Sequence, residues 1–121
     1  MSDMVNHPSH YTQASVSLEP IDILRYAPFD LGNCLKYILR AGHKGDALED
    51  WKKAEKYIEW AIESCYIDCT NYASFFNRYG LLLKKFKVFS HFDPSDATIE
   101  AEMEYLQAWI KAKIKKAETT K

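Results

Sequence analysis

Between Asp30 and Cys65 the chain carries the pattern of two amphipathic helices joined by a glycine-bracketed turn, and this restricts the fold more than any other feature. Leu31, Cys34, Leu35, Ile38 and Leu39 recur at i, i+3, i+4 spacing, so they share one helical face and leave Asn33, Lys36, Tyr37 and Arg40 towards the other. Asp30 is a good N-cap and Gly42 a stop signal, which predicts a helix over 30–41. Gly42 and Gly45 bracket a tight turn at His43-Lys44. Asp46 with Glu49 three residues later has the form of a capping box opening a second helix. Its apolar ladder is Leu48, Trp51, Ala54, Ile58, Ala61, Ile62 and Cys65, leaving Lys52, Lys53, Lys56 and Glu59 in water. The two segments make an αα-hairpin, and the fold class expected is all-α, a small helical domain built on that hairpin.

The flanking segments extend the same reading. Residues 1–18 show neither helical nor strand periodicity and are expected to form an ordered polar arm. Glu19-Pro20 marks a short helix ending near Ala27-Pro28, because proline fits the first helical turn where its missing N–H costs nothing. In residues 66–92 the spacing of Tyr72, Phe75, Phe76, Tyr79, Leu82, Leu83 and Phe86 favours a helix, while the alternation over 85–89 suits an extended segment. Asp93-Pro94 then predicts the start of a last helix, with Ile99, Met103, Leu106, Ile110 and Ile114 as its apolar stripe through Lys115. At 1.5 Å per residue it would be roughly 33 Å long. A helix of that length, with Trp109 beside its stripe, either closes its own core or packs against another subunit, and a homo-oligomer is expected. The 121 residues form one domain, with the arm at 1–18, the hairpin within 19–66 and an aromatic-rich remainder at 67–121.

Composition removes several classes of function. Sixteen basic and seventeen acidic side chains give a formal charge of -1, without the basic excess of a nucleic-acid-binding domain. There is no run of 18 apolar residues to cross a membrane, and Met1 to Tyr11 lacks the apolar region of a secretory signal. Three cysteines, an odd count without CxxC, suit a reducing cytosol. Cys65 and Cys69 are four apart and can share a helix face, but the sequence reveals no partners for a two-thiol zinc site, so no metal is expected there.

Three polar constellations are candidates for chemistry. Asn6, His7, Ser9, His10 and Tyr11 form a dense cluster with little apolar material, able to hydrogen-bond a ligand, stack on a base or offer imidazole to a metal. An exposed N-terminus explains them equally well. Glu19 and Asp22 lie on one face of the short helix and could hold Mg²⁺ with phosphate oxygens, or simply face water. Lys36, Arg40, His43 and Lys44 converge with turn N–H groups and a helix start at Asp46, an arrangement suited to phosphate but also to a solvated basic face. The phosphate cradle GxxxxGK[ST] is missing, as are GxGxxG, GxSxG and HExxH. The residues therefore show binders of phosphate and base more readily than catalytic machinery.

The segments Val5-Asn6-His7-Pro8-Ser9-His10-Tyr11, Glu19-Pro20-Ile21-Asp22 and Leu31 to Gly45 occur in the order and form of a family of short bacteriophage proteins described as nucleotide kinase-like, which this chain resembles. Glu49-Asp50-Trp51-Lys52-Lys53-Ala54 is close to a further block of that family, with Trp51 in place of leucine. The resemblance covers about residues 5–60. It implies a phage-encoded protein of the host cytoplasm with Asn6, His7, His10, Tyr11, Lys36, Tyr37 and Arg40 at a nucleotide site. The activity implied is phosphate transfer to a (deoxy)nucleoside monophosphate without a P-loop, with Mg²⁺ as a possible cofactor. A second reading is a protein that sequesters a cyclic or modified nucleotide signal of host defence, which needs aromatic stacking and charge pairing but no general base.

Overall fold

The hairpin predicted from the glycine turn is the centre of the fold. The structure, a computed structural model, describes residues 19–43, 45–86 and 98–119. Among these residues all regular structure is helical: α1 (Pro20–Leu24), α2 (Phe29–Arg40), α3 (Ala47–Ile67), α4 (Thr70–Leu83) with a 3₁₀ turn at Lys84–Phe86, and α5 (Ile99–Thr119). The all-α expectation holds. No helix among the described residues is long and apolar enough to cross a membrane.

Helix α2 begins one residue earlier than predicted, and Asp30 is not its cap. Pro28 occupies that position. The Asp30 carboxylate turns inward, where it accepts from the Leu31 N–H at 2.8 Å, the Tyr72 hydroxyl at 2.9 and 3.0 Å, and the Ser64 hydroxyl at 3.4 Å. One first-turn carboxylate, favoured there by the helix dipole, thus ties α2 to both α3 and α4. At the other end Gly42 and Gly45 take φ of 85° and 73°, the left-handed region where a side chain is strained. Asp46 then caps α3 by accepting from the Leu48 N–H at 2.9 Å.

Helix α3 is sandwiched between α2 and α5. Ala54, Ile58, Ala61 and Cys65 are buried from α3, Leu31, Cys34, Leu35 and Ile38 from α2, and Met103, Leu106 and Ile110 from α5. Leu39, Leu48, Trp51 and Ile62 are half-buried at the edges of that core. α5 runs antiparallel to α3, as the pairs Lys111–Glu55 at 3.2 Å and Lys52–Glu118 at 3.6 Å show. Trp109 packs edge-on against Trp51, with ring centroids 5.4 Å apart. The stripe and tryptophan of this long helix are therefore met within the same chain.

The helix favoured within residues 66–92 is present as α4, set off from α3 by a short break. α3 continues to Ile67, the chain is extended at Asp68 (φ -156°, ψ 105°), and α4 starts at Thr70. Asp68 accepts from the Thr70 N–H at 3.0 Å and so provides the break without glycine or proline. α4 buries Tyr72, Phe75, Phe76 and Leu83. α5 is described from Ile99, where the Thr98 hydroxyl accepts from the Ala101 N–H at 3.1 Å and caps the helix, while the predicted start at Asp93-Pro94 lies outside the described residues. The polar arm at 1–18, Lys44, the alternating residues 87–89 and the proline at 94 lie outside the described residues.

Candidate functional site on the α2–α3 face

The hairpin brings together side chains that are far from one another in sequence. On α2, Phe29, Asn33, Lys36, Tyr37 and Arg40 follow helical spacing, with Tyr37 packed on the edge of the core. On α3, Lys53, Lys56, Tyr57 and Trp60 do likewise, with Tyr57 at the core's edge and the lysines exposed. Packing the helices antiparallel sets the two faces edge to edge. The Tyr37 and Tyr57 rings stack at 6.0 Å and 10°. Tyr57 in turn meets Phe29 and Trp60 edge-on at 6.2 and 5.5 Å.

Lysines from both helices lie on this aromatic strip. The ammonium groups of Lys36 and Lys53 are 4.6 and 5.3 Å from the centre of the Tyr37 ring, and that of Lys56 is 5.5 Å from the Trp60 ring. Each such contact is worth about 0.5–1 kcal/mol at an exposed site. Phe29 is 76% exposed and Trp60 44%, so the strip offers aromatic surface to solvent. An apolar hollow of ≈ 250 Å³ between α1 and α2 has Phe29 in its wall and Asn33 and Lys36 among its polar groups. Gly32 lines this hollow too, where an added Cβ would meet Ala27 at 3.4 Å. A second, open cleft of ≈ 400 Å³ is lined by Lys52, Lys53 and Lys56 with Asp46 and Glu49.

The residues singled out from sequence are distributed unevenly over this face. Lys36 and Tyr37 sit at its centre. Asn33 borders the hollow, but its amide donates to the Phe29 carbonyl at 2.8 Å. Arg40 is engaged elsewhere: its Nε lies 3.6 Å from Asp50, whose carboxylate is buried in the first turn of α3. Asp50 Oδ2 has no hydrogen bond among the described residues, so the half-exposed guanidinium is the charge that offsets its burial. Glu19 and Asp22 form a capping box around the start of α1, with the Glu19 N–H donating to the Asp22 carboxylate at 2.9 Å. His43 is exposed in the turn, and its backbone N–H donates to the Arg40 carbonyl at 2.9 Å. Asn6, His7, Ser9, His10, Tyr11 and Lys44 lie outside the described residues.

Sequence reasoning missed Phe29, Tyr57 and Trp60 and treated Lys53 and Lys56 as solvated charges only. The signal was present: two aromatic residues three apart, at 57 and 60, run from the edge of a ladder through 54, 58 and 61 onto its polar side. A solvated face has no need of them. A further group was only half seen from sequence, which paired Cys65 with Cys69, found no partner for them and expected no metal. The sulfurs of Cys65 and Cys69 and a carboxylate oxygen of Glu100 all lie within 4.8 Å of one another where α3, α4 and α5 meet. Burial, with Glu100 and Cys69 as neighbours, pushes the Cys65 thiol up to about 11. Burial also raises Cys34, which is enclosed in the α2 side of the core.

Residues 5–59 match a family described as a protein of unknown function (DUF3310). The chain is similar to that family over the N-terminal segment, α1, α2 and the first half of α3. That span holds Lys36, Tyr37, Arg40, Lys53, Lys56 and Tyr57, whereas Cys65, Cys69 and Glu100 fall beyond it. No curated protein and no solved structure matches the chain.

Proposed function

We propose that the α2–α3 face binds a nucleotide. The observation that carries this reading is the convergence of Lys36 and Lys53, from two different helices, on the ring of Tyr37 beside the hollow walled by Phe29. Aromatic surface suits a base, and two ammonium groups a few ångströms away suit its phosphates. Asn6, His7, His10 and Tyr11 complete the site on the strength of the resemblance to the phage nucleotide kinase-like family, with Ser9 a further candidate from the same polar cluster. On the same ground the protein acts in the cytoplasm of an infected host, on a small nucleotide rather than on nucleic acid or a membrane. It works as a homo-oligomer, with the exposed apolar side chains of Ile21, Tyr26 and Phe29 as the surface shared between copies.

Two chemistries start from such a site. Transfer of phosphate to a nucleoside monophosphate is what the resemblance implies, and it would draw on Arg40 and on Glu19 and Asp22 with Mg²⁺. Retention of an intact nucleotide, which would blunt a defence signal, draws on stacking and charge pairing alone. The partners of Arg40 and of the Glu19–Asp22 capping box favour retention, because transfer would first have to release these groups from Asp50 and from the start of α1.

The test is quantitative recovery. Protein is incubated with Mg-ATP and a panel of nucleoside monophosphates and cyclic dinucleotides, filtered, then denatured, and every nucleotide is measured. The expected result is one species depleted from the filtrate and recovered unchanged from the denatured protein, at a stoichiometry set by the subunits. ADP and a new diphosphate in many equivalents per chain would establish the transferase instead. No depletion of any species would overturn nucleotide binding.

A further inference from the structure

We propose that Cys65, Cys69 and Glu100 form a binding site for one thiophilic divalent cation, with zinc the ion their donor set fits best. The proposal is independent of the nucleotide site, with which it shares no residue. Two sulfurs and a carboxylate oxygen already lie within 4.8 Å of one another. Around a tetrahedral zinc with Zn–S bonds of about 2.3 Å, two sulfurs are about 3.8 Å apart, so closure needs an inward shift of at most about 1 Å. That is within the reach of side-chain rotation at the ends of helices.

The local backbone explains how the three donors meet. Cys65 lies in the last turns of α3, and the extended residue Asp68 turns the chain so that Cys69 comes back beside it. Glu100 is held in the first turn of α5 by the Thr98 cap. One turn further on, the Glu104 carboxylate accepts from the Tyr66 hydroxyl and fixes this end of α5 against the end of α3. Two sulfur donors disfavour Mg²⁺ and Ca²⁺, which prefer oxygen, whereas a mixed sulfur and carboxylate set suits Zn²⁺. Cys65 is buried, but Cys69 and Glu100 are half-buried, so water reaches the fourth coordination position. On binding, two zinc–sulfur bonds form and the two thiol protons pass to the buffer. The ion joins three helices at one point, and its consequence is a clamp of α4 and α5 onto the end of α3.

The experiment uses the full chain, reduced and stripped with a chelator. Zinc is titrated against a chromophoric competing chelator, and cobalt(II) serves as a probe for sulfur-to-metal charge-transfer absorption. One equivalent is expected to bind with that absorption. Glu100→Gln should weaken binding about tenfold or more. Cys69→Ser should weaken it further and halve the charge-transfer intensity, while Cys34→Ala leaves the stoichiometry at one. With zinc at a hundred times Kd the Tm should rise by about 10 °C. Far-UV circular dichroism and the Tm in chelator establish that each variant is folded. Failure of the reduced protein to take up an equivalent of zinc, or equal affinity in Glu100→Gln, would overturn the proposal. So would recovery of Cys65 and Cys69 as a disulfide from protein prepared without reductant and with zinc supplied.

Discussion

The α2–α3 face and the junction of α3, α4 and α5 share helix α3, the first along its middle turns and the second at its C-terminal end, and differ in almost every physical respect. The first is wet, aromatic and basic, built from residues 29 to 60 by the folding back of one hairpin. The second is half-buried, sulfur-rich and acidic, and it needs Glu100 to arrive after 30 intervening residues beyond Cys69. A hairpin brings its faces together through local contacts that form at little entropic cost. The junction exists only once α5 has docked. A ligand on the first surface acts on a preformed element, whereas an ion at the second would report on, and stabilise, the closed fold.

The largest effect is expected where the two regions are physically joined. Asp30 of α2 accepts hydrogen bonds from Tyr72 of α4 and from Ser64, the residue before Cys65. Asp30→Ala strands the Tyr72 hydroxyl and removes a charge-assisted bond, for a loss of about 3 kcal/mol in denaturant unfolding. Zinc affinity should fall together with stability. A variant that lost neither would separate the two regions energetically and end the view of Asp30 as their link.

This same residue shows where reading the sequence succeeds and where it stops. Periodicity located α2 and α3 to within a few residues and picked out the buried stripe of α5, because an amphipathic helix advertises its buried face in every turn. Asp30 was legible as a helix-start residue but not as an interhelical acceptor, since its partners lie 34 and 42 residues away. Asp68 shows the converse: a single side chain hydrogen-bonded to its own backbone two residues on ends a helix that apolar spacing would have continued. Of the candidate site, Lys36 and Tyr37 were legible from their spacing. Lys53, Tyr57 and Trp60 needed the crossing of the hairpin, and Glu100 needed the whole tertiary structure.

The second effect separates support from contact on the basic face. Arg40→Ala leaves the buried Asp50 carboxylate without this counter-charge and should cost about 2 kcal/mol, less than for a fully buried pair because water already screens the half-exposed arginine. Asp50→Asn in the same chain should recover part of this, measurable as a double-mutant cycle in chemical unfolding. Affinity for the nucleotide identified by the recovery experiment is expected to change less than stability, because Arg40 faces Asp50. A loss of affinity exceeding a hundredfold in a still-folded protein would instead make Arg40 a ligand contact.

Lys53→Glu has the opposite signature. Lys53 is exposed on α3, so unfolding free energy should move by no more than about 0.5 kcal/mol. Reversal of its charge beside Tyr37 and Lys36 should weaken nucleotide binding by about tenfold or more and reduce the salt dependence of what remains. Zinc binding at the far end of α3 should be untouched. Equilibrium dialysis at two ionic strengths, with the zinc titration run alongside, tests both halves of the comparison in one variant.

The smallest effect at neutral pH becomes the clearest in alkali, and it is read in a Cys34→Ala background because burial raises that core thiol as well. Burial pushes Cys65 up to about 11 and Tyr72 up to about 12, in both cases above the ordinary values that the unfolded chain would show. Above those ordinary values the unfolded chain gives up its protons while the folded one keeps them, so unfolding is favoured as pH rises. Stability should therefore be flat up to about pH 9, fall first as Cys65 is discriminated against and then further towards pH 12 with Tyr72. Tyr72→Phe removes the upper part of that fall, and Cys65→Ala the lower part. Saturating zinc, by holding the Cys65 sulfur deprotonated in the folded state, should abolish the lower part as well without touching the upper. Denaturant melts between pH 7 and 12, with and without zinc, provide the curve. A lower limb that zinc leaves unchanged would place the Cys65 thiol outside the metal's reach, whereas its selective loss would connect the buried sulfur, the carboxylate of α5 and the stability of the fold in one titration.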